Sequence, residues 1–311
     1  MPALLDTYVE RLATLFETWG KAFSAEEVEH LRFLLKDKLV EGFQVSSASQ
    51  VVITYEPTPP PATGINYSIT YTLTSIADQY NHWNSTRVPP LFGTHPDAKV
   101  MDLAAQLGDS NPGKILDIGA GTGRNTLPLA RLGLTVDALE LTSGFAEKLR
   151  IAAQTENLSV NVIEGDFLDP LVRLRPLTYN LVICAEVISH FRDVNQLRLL
   201  LAKIYDYVCP GGLFLFSLFV AKNSYEPDQL TRELSEVTWS TLFTESDLQA
   251  AFEQLPLEII SSESVLEYER AHLPTEAWPP TGWFENWASG RDLFPLEEPP
   301  MELRWVLCKR V

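Results

Sequence analysis

Cysteine and histidine are scarce in this chain. Of its 311 residues, three are cysteine and five are histidine. Cys184, Cys209 and Cys308 are odd in number and far apart, so we expect buried free thiols rather than a disulfide framework. No two histidines stand four residues apart, and none has a Cys-x-x-Cys pair beside it. The sequence therefore predicts no metal site.

Positive charge is also scarce. Lysine and arginine number 24 against 41 aspartates and glutamates, which gives a formal net charge of −17. A protein that binds DNA or RNA must neutralise phosphates with a basic face. The charge balance therefore disfavours a nucleic-acid partner and favours a small-molecule ligand that is neutral or cationic.

Long apolar runs are missing as well. No stretch approaches the roughly 20 apolar residues that a membrane-spanning helix needs. The first 15 residues mix acidic and apolar side chains, whereas a signal peptide has a basic head before an apolar block. We therefore expect a cytoplasmic globular protein with no membrane partner. Its oligomeric state is not indicated by the sequence.

The sequence does contain a glycine-rich turn between a predicted strand and a predicted helix. The run KILDIGAGTGRN occupies residues 114–125, with glycines at 119, 121 and 123. Aliphatic residues before the first glycine predict a short buried strand, and residues from Thr126 onward predict a helix whose first amides face the turn. Glycine permits positive φ there and lets a ligand lie against the backbone.

The spacing of these glycines distinguishes two kinds of cofactor site. Dinucleotide-binding proteins use Gly-x-Gly-x-x-Gly, which would place the third glycine at position 124. Here Arg124 occupies that position, and the third glycine is Gly123. With the acidic residue before it, the run resembles the first motif of class I S-adenosylmethionine-dependent methyltransferases, an acidic residue followed by Gly-x-Gly-x-Gly. The resemblance implies that cofactor-binding residues of this motif are Asp117, Gly119, Ala120, Gly121, Gly123 and Asn125.

Two further carboxylates follow at the ends of predicted strands. Glu140 ends an apolar run 21 positions after the first glycine, where a ribose-binding carboxylate is expected. A later run ends in Gly-Asp-Phe at residues 165–167, a pattern that the family uses at its adenine site. The resemblance implies that Asp166 accepts a hydrogen bond from the adenine amino group and that Phe167 flanks the ring. Leu141 is assigned to the same cofactor site.

The loop after the fourth predicted strand should face the transferred methyl group, because ligands lie beyond the carboxyl ends of parallel strands. This loop, AEVISHF at residues 185–191, lacks the Asn/Asp-Pro-Pro-aromatic motif of methyltransferases that act on base amino groups. We assign Ala185 to the cofactor site and take Glu186 and His190 as candidate catalytic residues. An ordinary histidine pKa near 6.5 would suit His190 as a base. The alternatives are that His190 has a structural role and that Glu186 lines the methionine portion of the cofactor.

Aromatic residues in two other segments are candidates for the ligand site. Tyr80 and Trp83 lie in an Ala-x-x-Tyr-like pattern that small-molecule members of the family fold over the cofactor. We assign Tyr80 to the cofactor and Trp83 to the substrate, with packing against the core as the alternative. Segment 272–300 is long and carries Trp283 and Trp287 among prolines. It is interpreted as an aromatic substrate wall or as a loop packed onto the domain.

The order of elements predicts a doubly wound, Rossmann-like α/β fold over residues 75–311. Its sheet should have seven strands with the last antiparallel, the final two being residues 257–268 and 303–309. Residues 1–74 predict a small N-terminal ααββ appendage, with amphipathic helices followed by alternating strands.

The resemblance implies S-adenosylmethionine-dependent methyl transfer to a small-molecule acceptor through an O, N, C or S nucleophile. The turn sequence is most similar to the tellurite-resistance type of methyltransferase. Two rival functions remain open at this point. A regulatory module could bind the cofactor without catalysis, and an NAD(P)-dependent oxidoreductase is disfavoured by Arg124 in place of a glycine.

Overall fold

A computed structural model describes residues 1–61, 64–88, 90–107 and 113–311. These residues form two compact units. The first unit contains Met1–Gln79 and Pro227–Val237, and the second contains Tyr80–Glu226 and Thr238–Val311. The predicted division fell between residues 74 and 75, whereas the structure divides the chain after residue 79 and adds a later segment to the first unit.

Two helices and a two-stranded antiparallel sheet begin the first unit. Their bounds are α1, Leu5–Thr18; α2, Ala25–Val45; β1, Gln50–Pro57; and β2, Ile65–Thr72. Helix α2 begins at a capping box, in which Ser24 and Glu27 each accept a hydrogen bond from the other's backbone N–H. The apolar faces of the helices meet at Val9, Leu35 and Leu39. The predicted ααββ arrangement is confirmed.

The remaining helices and strands follow in chain order. They are α3, Ile76–Thr86; α4, Ala98–Gln106; β3, Lys114–Ile118; α5, Thr126–Arg131; β4, Thr135–Glu140; α6, Ser143–Thr155; β5, Val160–Glu164; β6, Tyr179–Cys184; α7, Val194–Tyr207; β7, Val208–Ala221; α8, Gln229–Val237; β8, Leu242–Phe243; α9, Glu245–Phe252; β9, Leu257–Ser264; α10, Val265–His272; α11, Phe284–Ala288; and β10, Met301–Arg310. Helix α8 belongs to the first unit.

The described strands of the second unit form one sheet. Their order is β5-β4-β3-β6-β7-β10-β9, and the short β8 pairs with β7. Strands β3 to β7 are parallel to their neighbours along this path, whereas β10 is antiparallel to β7 and β9. In β6, Leu181 and Ile183 enter one hydrophobic core and Val182 and Cys184 enter the other, so both faces are covered. The predicted doubly wound sheet is confirmed, with β8 as an additional strand.

One predicted strand was too long. Strand β9 ends at Ser264, whereas the apolar pattern predicted that it would continue through Tyr268. The Ser264 hydroxyl accepts a hydrogen bond from the backbone N–H of Glu267 at 3.4 Å. Because serine satisfies a free amide at the start of a helix, this contact favours α10 over further extended chain.

The cysteines behave largely as expected. All three cysteines are free; Cys184 and Cys308 are buried, whereas Cys209 is partly exposed. In the described part of the chain, no helix has the length and apolar character needed to cross a bilayer. The cytoplasmic location stays a prediction. Among the same residues, no group of three or more His, Cys, Asp or Glu side chains could hold a metal ion.

Candidate functional site

The predicted cofactor residues gather at one edge of the sheet. Strands β5, β4, β3 and β6 are neighbours in this order. Their carboxyl ends lead respectively to Asp166, Glu140, the glycine turn and Glu186. The parallel topology therefore brings together groups that are up to 69 positions apart in the sequence, from Asp117 to Glu186.

The turn after β3 requires glycine for two reasons. Gly119, Gly121 and Gly123 have φ of +73°, +56° and +98°, a region that other residues rarely adopt. A Cβ on Gly119 would lie 2.3 Å from a methyl group of Val187, and one on Gly123 would lie 2.6 Å from a methyl group of Leu149. The first and third glycines therefore also allow close packing of the turn against neighbouring elements.

Glu140 holds the turn from the adjacent strand. Its side chain is almost fully buried. One carboxylate oxygen accepts a hydrogen bond from the N–H of Gly121 at 2.8 Å. The other accepts from the N–H and the hydroxyl of Thr142 at 2.9 and 2.7 Å. A carboxylate has about four acceptor positions, so Glu140 can accept further bonds if the Thr142 hydroxyl rotates away.

Asp117 lies behind the turn. It is buried, and its carboxylate accepts a hydrogen bond from the Thr126 hydroxyl at 2.5 Å. Burial raises the pKa of Asp117 to about 7, and the bond from Thr126 opposes this rise. In this arrangement Asp117 ties the end of β3 to the start of α5.

The two predicted adenine residues after β5 differ in their exposure. Asp166 is exposed, with one carboxylate oxygen accepting from the N–H of Leu168 at 2.8 Å. Phe167 is only 4% exposed and lies in the core beneath the sheet, with its ring centroid 6.1 Å from that of Tyr207. The structure therefore does not support Phe167 as a residue that flanks adenine. Leu141, which is 38% exposed, offers apolar surface at the end of β4 instead.

A buried ion-pair network connects the glycine turn to the loop after β6. Arg124 donates through one guanidinium nitrogen to Asp97 and through the other to Glu186, both at 2.7 Å. Burial opposes the charge of Arg124, but Asp97 and Glu186 outweigh it and raise the arginine pKa. We refer to Asp97, Arg124 and Glu186 as the Arg124 network. In the sequence, Arg124 disfavours a dinucleotide site, and Asp97 is not among the predicted site residues.

Asn125 supports this network. Its amide nitrogen donates to the second carboxylate oxygen of Asp97 at 2.9 Å, and its amide oxygen accepts from the Asp97 N–H at 2.9 Å. Both side chains are buried. Asn125 therefore fixes Asp97 at the start of α4, whereas the resemblance assigned it to the cofactor.

Glu186 is held in an unusual conformation. Its φ of +60° is in the left-handed region, which is costly for a non-glycine residue and is often found at functional sites. Its N–H donates to the Ser217 hydroxyl on β7 at 2.8 Å. Burial raises the pKa of Glu186, while the nearby Arg124 lowers it. The loop after β6 thus presents a carboxylate whose direction is set by Arg124.

His190 does not have the ordinary pKa that was assumed for a base. Burial lowers the pKa of its imidazole to about 4, so it is neutral at physiological pH but weakly basic. Its Nε2 is 2.8 Å from the Tyr80 hydroxyl. Its Nδ1 is buried and has no hydrogen-bond partner among the residues that the structure describes.

Tyr80 is the centre of an aromatic cluster in the second unit. The cluster consists of Tyr80, Trp83, Phe92, Phe145 and Trp239. The Tyr80 centroid lies 5.4–6.0 Å from the other four, and Trp83 packs on Trp239 at 4.6 Å. A Cβ on Gly121 would lie 3.6 Å from the Phe92 ring, so the cluster adjoins the glycine turn.

The tryptophans of segment 272–300 divide into two classes. Trp287 is 8% exposed, and its ring packs edge-on against Phe219 at 5.0 Å in the core. Its indole N–H donates to the backbone oxygen of Trp239 at 3.1 Å. Trp283 is 40% exposed and lies 5.5 Å from Trp287. The packing interpretation therefore describes Trp287, and a substrate role stays open only for Trp283.

These two tryptophans provide a matched test. Trp287→Ala should lower the free energy of unfolding by about 3–5 kcal/mol, because it removes a large side chain from a packed core. Trp283→Ala should have a smaller effect, since 40% of this residue is already exposed to solvent. Urea denaturation of both variants measures the difference. Equal destabilisation would show that segment 272–300 is not packed as described.

A sequence profile of the methyltransferase domain family matches residues 92–262, which is more than half of the chain. The chain therefore belongs to this family. The class I methyltransferase resemblance is confirmed, while the narrower likeness to the tellurite-resistance type stays a prediction.

Curated relatives match over shorter stretches. The ubiquinone biosynthesis O-methyltransferase of Rickettsia typhi is 33% identical over 104 residues, covering 33% of this chain and 40% of the relative. The enzyme of the same name from Rickettsia prowazekii is 30% identical over 118 residues, covering 38% and 44%. An rRNA methyltransferase of Streptomyces thermotolerans is 38% identical over 73 residues, covering 23% and 24%. The matches thus span less than half the length of these relatives.

Solved structures share the fold at low sequence identity. The geranyl diphosphate C-methyltransferase of Streptomyces coelicolor A3(2) has a TM-score of 0.54 and 15% identity, covering 75% of this chain and 97% of its own. The cyclase SpnF has a TM-score of 0.53 and 15% identity, covering 76% and 94%. Because a protein described as a cyclase has this fold, the fold alone does not define the reaction.

Proposed function

We propose that the chain transfers a methyl group from S-adenosylmethionine to a small-molecule acceptor. The observation that carries this proposal is the convergence of the glycine turn, Glu140 and Asp166 at neighbouring strand ends. Family membership supports methyl transfer, and the neighbouring geranyl diphosphate enzyme was solved with S-adenosylhomocysteine.

The residues at this edge fit the proposed cofactor. Glu140 offers acceptors to the ribose hydroxyls, and the exposed Asp166 offers one to the adenine amino group. Leu141, which follows Glu140 in the chain and is 38% exposed, provides apolar surface beside that carboxylate. Among the described residues outside the turn itself, Gly121 has the Phe92 ring and no other group within 4 Å of the position that a Cβ would take, so ligand atoms can approach the backbone there. This donor and acceptor set suits an adenosyl group better than a pyrophosphate.

The chemistry places modest demands on the protein. Bound S-adenosylmethionine supplies an already activated methyl group, so alignment of the acceptor and exclusion of water can account for most of the rate. The aromatic cluster, which adjoins the turn, is suited to exclude water and to hold an apolar acceptor. Tyr80 and Trp83 are the members that the sequence identified.

His190 and Glu186 take different roles in this proposal. The unpaired Nδ1 of His190 can form a hydrogen bond with the molecule that accepts the methyl group and so orient that molecule. The lowered pKa of His190 makes the imidazole a weak general base. Glu186, oriented by Arg124, is suited to face the cationic end of the cofactor. Ala185 lies beside it at the end of β6.

A small molecule is preferred over a nucleic acid as the acceptor. The net charge of −17 opposes binding to a polyanion. The likeness to an rRNA methyltransferase covers only 23% of this chain and keeps RNA as a competitor to be tested. Incubation of the protein with methyl-labelled S-adenosylmethionine and fractionated cell extract distinguishes a small-molecule acceptor from an RNA acceptor. Label in the RNA fraction, with none in small molecules, would overturn the preference.

Calorimetry tests the cofactor itself. S-adenosylmethionine and S-adenosylhomocysteine should bind, and NADH should not, because Arg124 occupies the position of the third dinucleotide glycine. Binding of NADH alone would favour an oxidoreductase. Binding of S-adenosylmethionine with no labelled product from any extract would favour a regulatory module.

A further inference from the structure

The first unit contains a cavity that is lined by its own residues. Its volume is about 500 Å³, within the range of small-molecule sites. Residues of α1, α2 and the segment from Ser49 into β1 line it. The apolar part of its wall consists of Leu12, Leu35, Leu39, Phe43, Val51 and Ile53.

The cavity is unusual for so small a core. The buried apolar side chains where α1 and α2 meet are Val9, Leu35 and Leu39. Leu35 and Leu39 also line the cavity. The cavity is partly open to solvent, so a ligand with an apolar body would remove this wall from water on binding. The unit therefore keeps an apolar wall that its own side chains do not fill.

One polar group at the cavity has an unused hydrogen-bonding capacity. The hydroxyl oxygen of Ser49 is buried and has no hydrogen-bond partner within the described residues. A buried hydroxyl left in this state is costly, and an acceptor on a ligand would remove the cost. Gly42 allows this arrangement, because its missing Cβ would lie 3.4 Å from the Cβ of Ser49.

Tyr8 and Arg11 stand three residues apart on α1 and also line the cavity. Burial, and then the charge of Glu233, raise the pKa of Tyr8, so its hydroxyl stays protonated and able to donate. Glu233 itself already accepts hydrogen bonds from the Ala3 N–H and the Gln229 amide, each at 2.8 Å. Arg11 forms no ion pair with any residue that the structure describes.

The charge of the lining is the reverse of the charge of the chain. The protein has 41 acidic residues, yet none of the described residues that line this cavity is aspartate or glutamate. Arg11 is the charged side chain in the lining. A lining that combines an apolar wall with a cation and two hydroxyl donors is complementary to an amphiphile with an anionic head.

We propose that this cavity binds a small amphiphilic carboxylic acid, with its apolar body against the α1–α2–β1 wall and its carboxylate near Ser49, Tyr8 and Arg11. The proposal does not depend on methyl transfer. A saturated acid of about ten carbons has a suitable size for a site of this class.

Calorimetry on the full chain with three ten-carbon probes tests the proposal. Decanoate should bind, decanol should bind more weakly, and decyltrimethylammonium should not bind measurably. Arg11→Gln should weaken decanoate binding at least tenfold and leave decanol binding nearly unchanged. Ser49→Ala should weaken decanoate several-fold. The controls are Arg32→Gln on α2, whose side chain pairs with Asp6, and Ser68→Ala on β2, and both should retain wild-type affinity.

A filled cavity gives a second, independent measurement. Leu12→Trp should abolish decanoate binding while circular dichroism and S-adenosylhomocysteine binding stay at wild-type values. If that variant does not fold, Val51→Phe replaces it, because Val51 enters the same cavity from β1. The proposal is overturned if decanoate fails to bind, if all three probes bind alike, or if either Arg11→Gln or the filling variant that folds binds decanoate as the wild type does.

Discussion

Arg124→Gln should lower the free energy of unfolding by about 3–5 kcal/mol at pH 8, the usual cost of removing one partner from a buried ion pair. The guanidinium of Arg124 bridges Asp97 and Glu186 with two hydrogen bonds of 2.7 Å, and all three side chains are largely buried. Glutamine has a similar length but no charge, so both carboxylates would stay buried without their cation.

The loss should depend on pH in a defined direction. Burial raises the pKa of Glu186 and Arg124 opposes that rise, so removal of Arg124 should raise the folded-state pKa further. A carboxyl with a higher pKa in the folded than in the unfolded state favours folding most below its unfolded pKa, about 4.3 for glutamate. This contribution is lost as pH rises through the folded pKa. The deficit of the variant should therefore shrink as pH falls from 8 to 5.

Urea denaturation of wild type and variant between pH 5 and 8 measures both effects. Arg124→Gln with Glu186→Gln should recover part of the stability at pH 8 and flatten the pH dependence, because the unpaired carboxylate is gone. Arg131→Gln is the matched control, since Arg131 also pairs with a carboxylate at 2.7 Å but lies on the surface. This substitution should change the free energy of unfolding only slightly. A similar loss in the control, or a deficit that does not change with pH, would contradict a buried network.

The sequence predicts the sheet and its ligand edge well because both depend on local patterns. Apolar runs identified strands β3 to β7, and those of β3, β4 and β5 lead into a glycine or a carboxylate. The spacing of Gly119, Gly121 and Gly123 indicated the kind of turn. Parallel topology then implies that consecutive strand ends meet at one edge. The excess length predicted for β9 has a local cause, because the capping role of Ser264 was overlooked.

The properties of individual side chains at the site depend on residues that are distant in the sequence. His190 has its pKa lowered by an environment that includes Tyr80, 110 positions earlier. Phe167 and Trp287 turn into the core because apolar neighbours from other elements surround them there. Asp97 gives a weak local signal, since it follows a proline at the start of a helix, but its pairing with Arg124 appears only in three dimensions.

The second large effect is expected at Glu140. Glu140→Ala should weaken S-adenosylhomocysteine binding by about 1.5–3 kcal/mol, roughly 10- to 150-fold, because it removes a charged acceptor for the ribose hydroxyls. The structure adds a second possible cause of weaker binding, since Glu140 also accepts from the Gly121 N–H and from Thr142. Calorimetry must therefore separate contact with the ribose from support of the turn.

Two controls separate these causes. Glu147→Ala removes an exposed carboxylate on α6 and should bind S-adenosylhomocysteine as the wild type does. Thr142→Val keeps the shape of a buried side chain but removes its hydroxyl bond to Glu140, which frees one acceptor position. This variant should retain affinity if Glu140 contacts the ribose, and should lose affinity if the bond to Thr142 is what maintains the site.

An analogue of S-adenosylhomocysteine without the ribose 2′-hydroxyl isolates the contact from the ligand side. Wild type should bind this analogue more weakly than S-adenosylhomocysteine, because one acceptor of Glu140 would be left without its donor. Glu140→Ala should bind both ligands with nearly equal affinity, since the partner of the missing hydroxyl is already absent. If the variant discriminates between them as strongly as the wild type, the ribose is held elsewhere. Glu140 would then act only by fixing Gly121 and Thr142 in the turn.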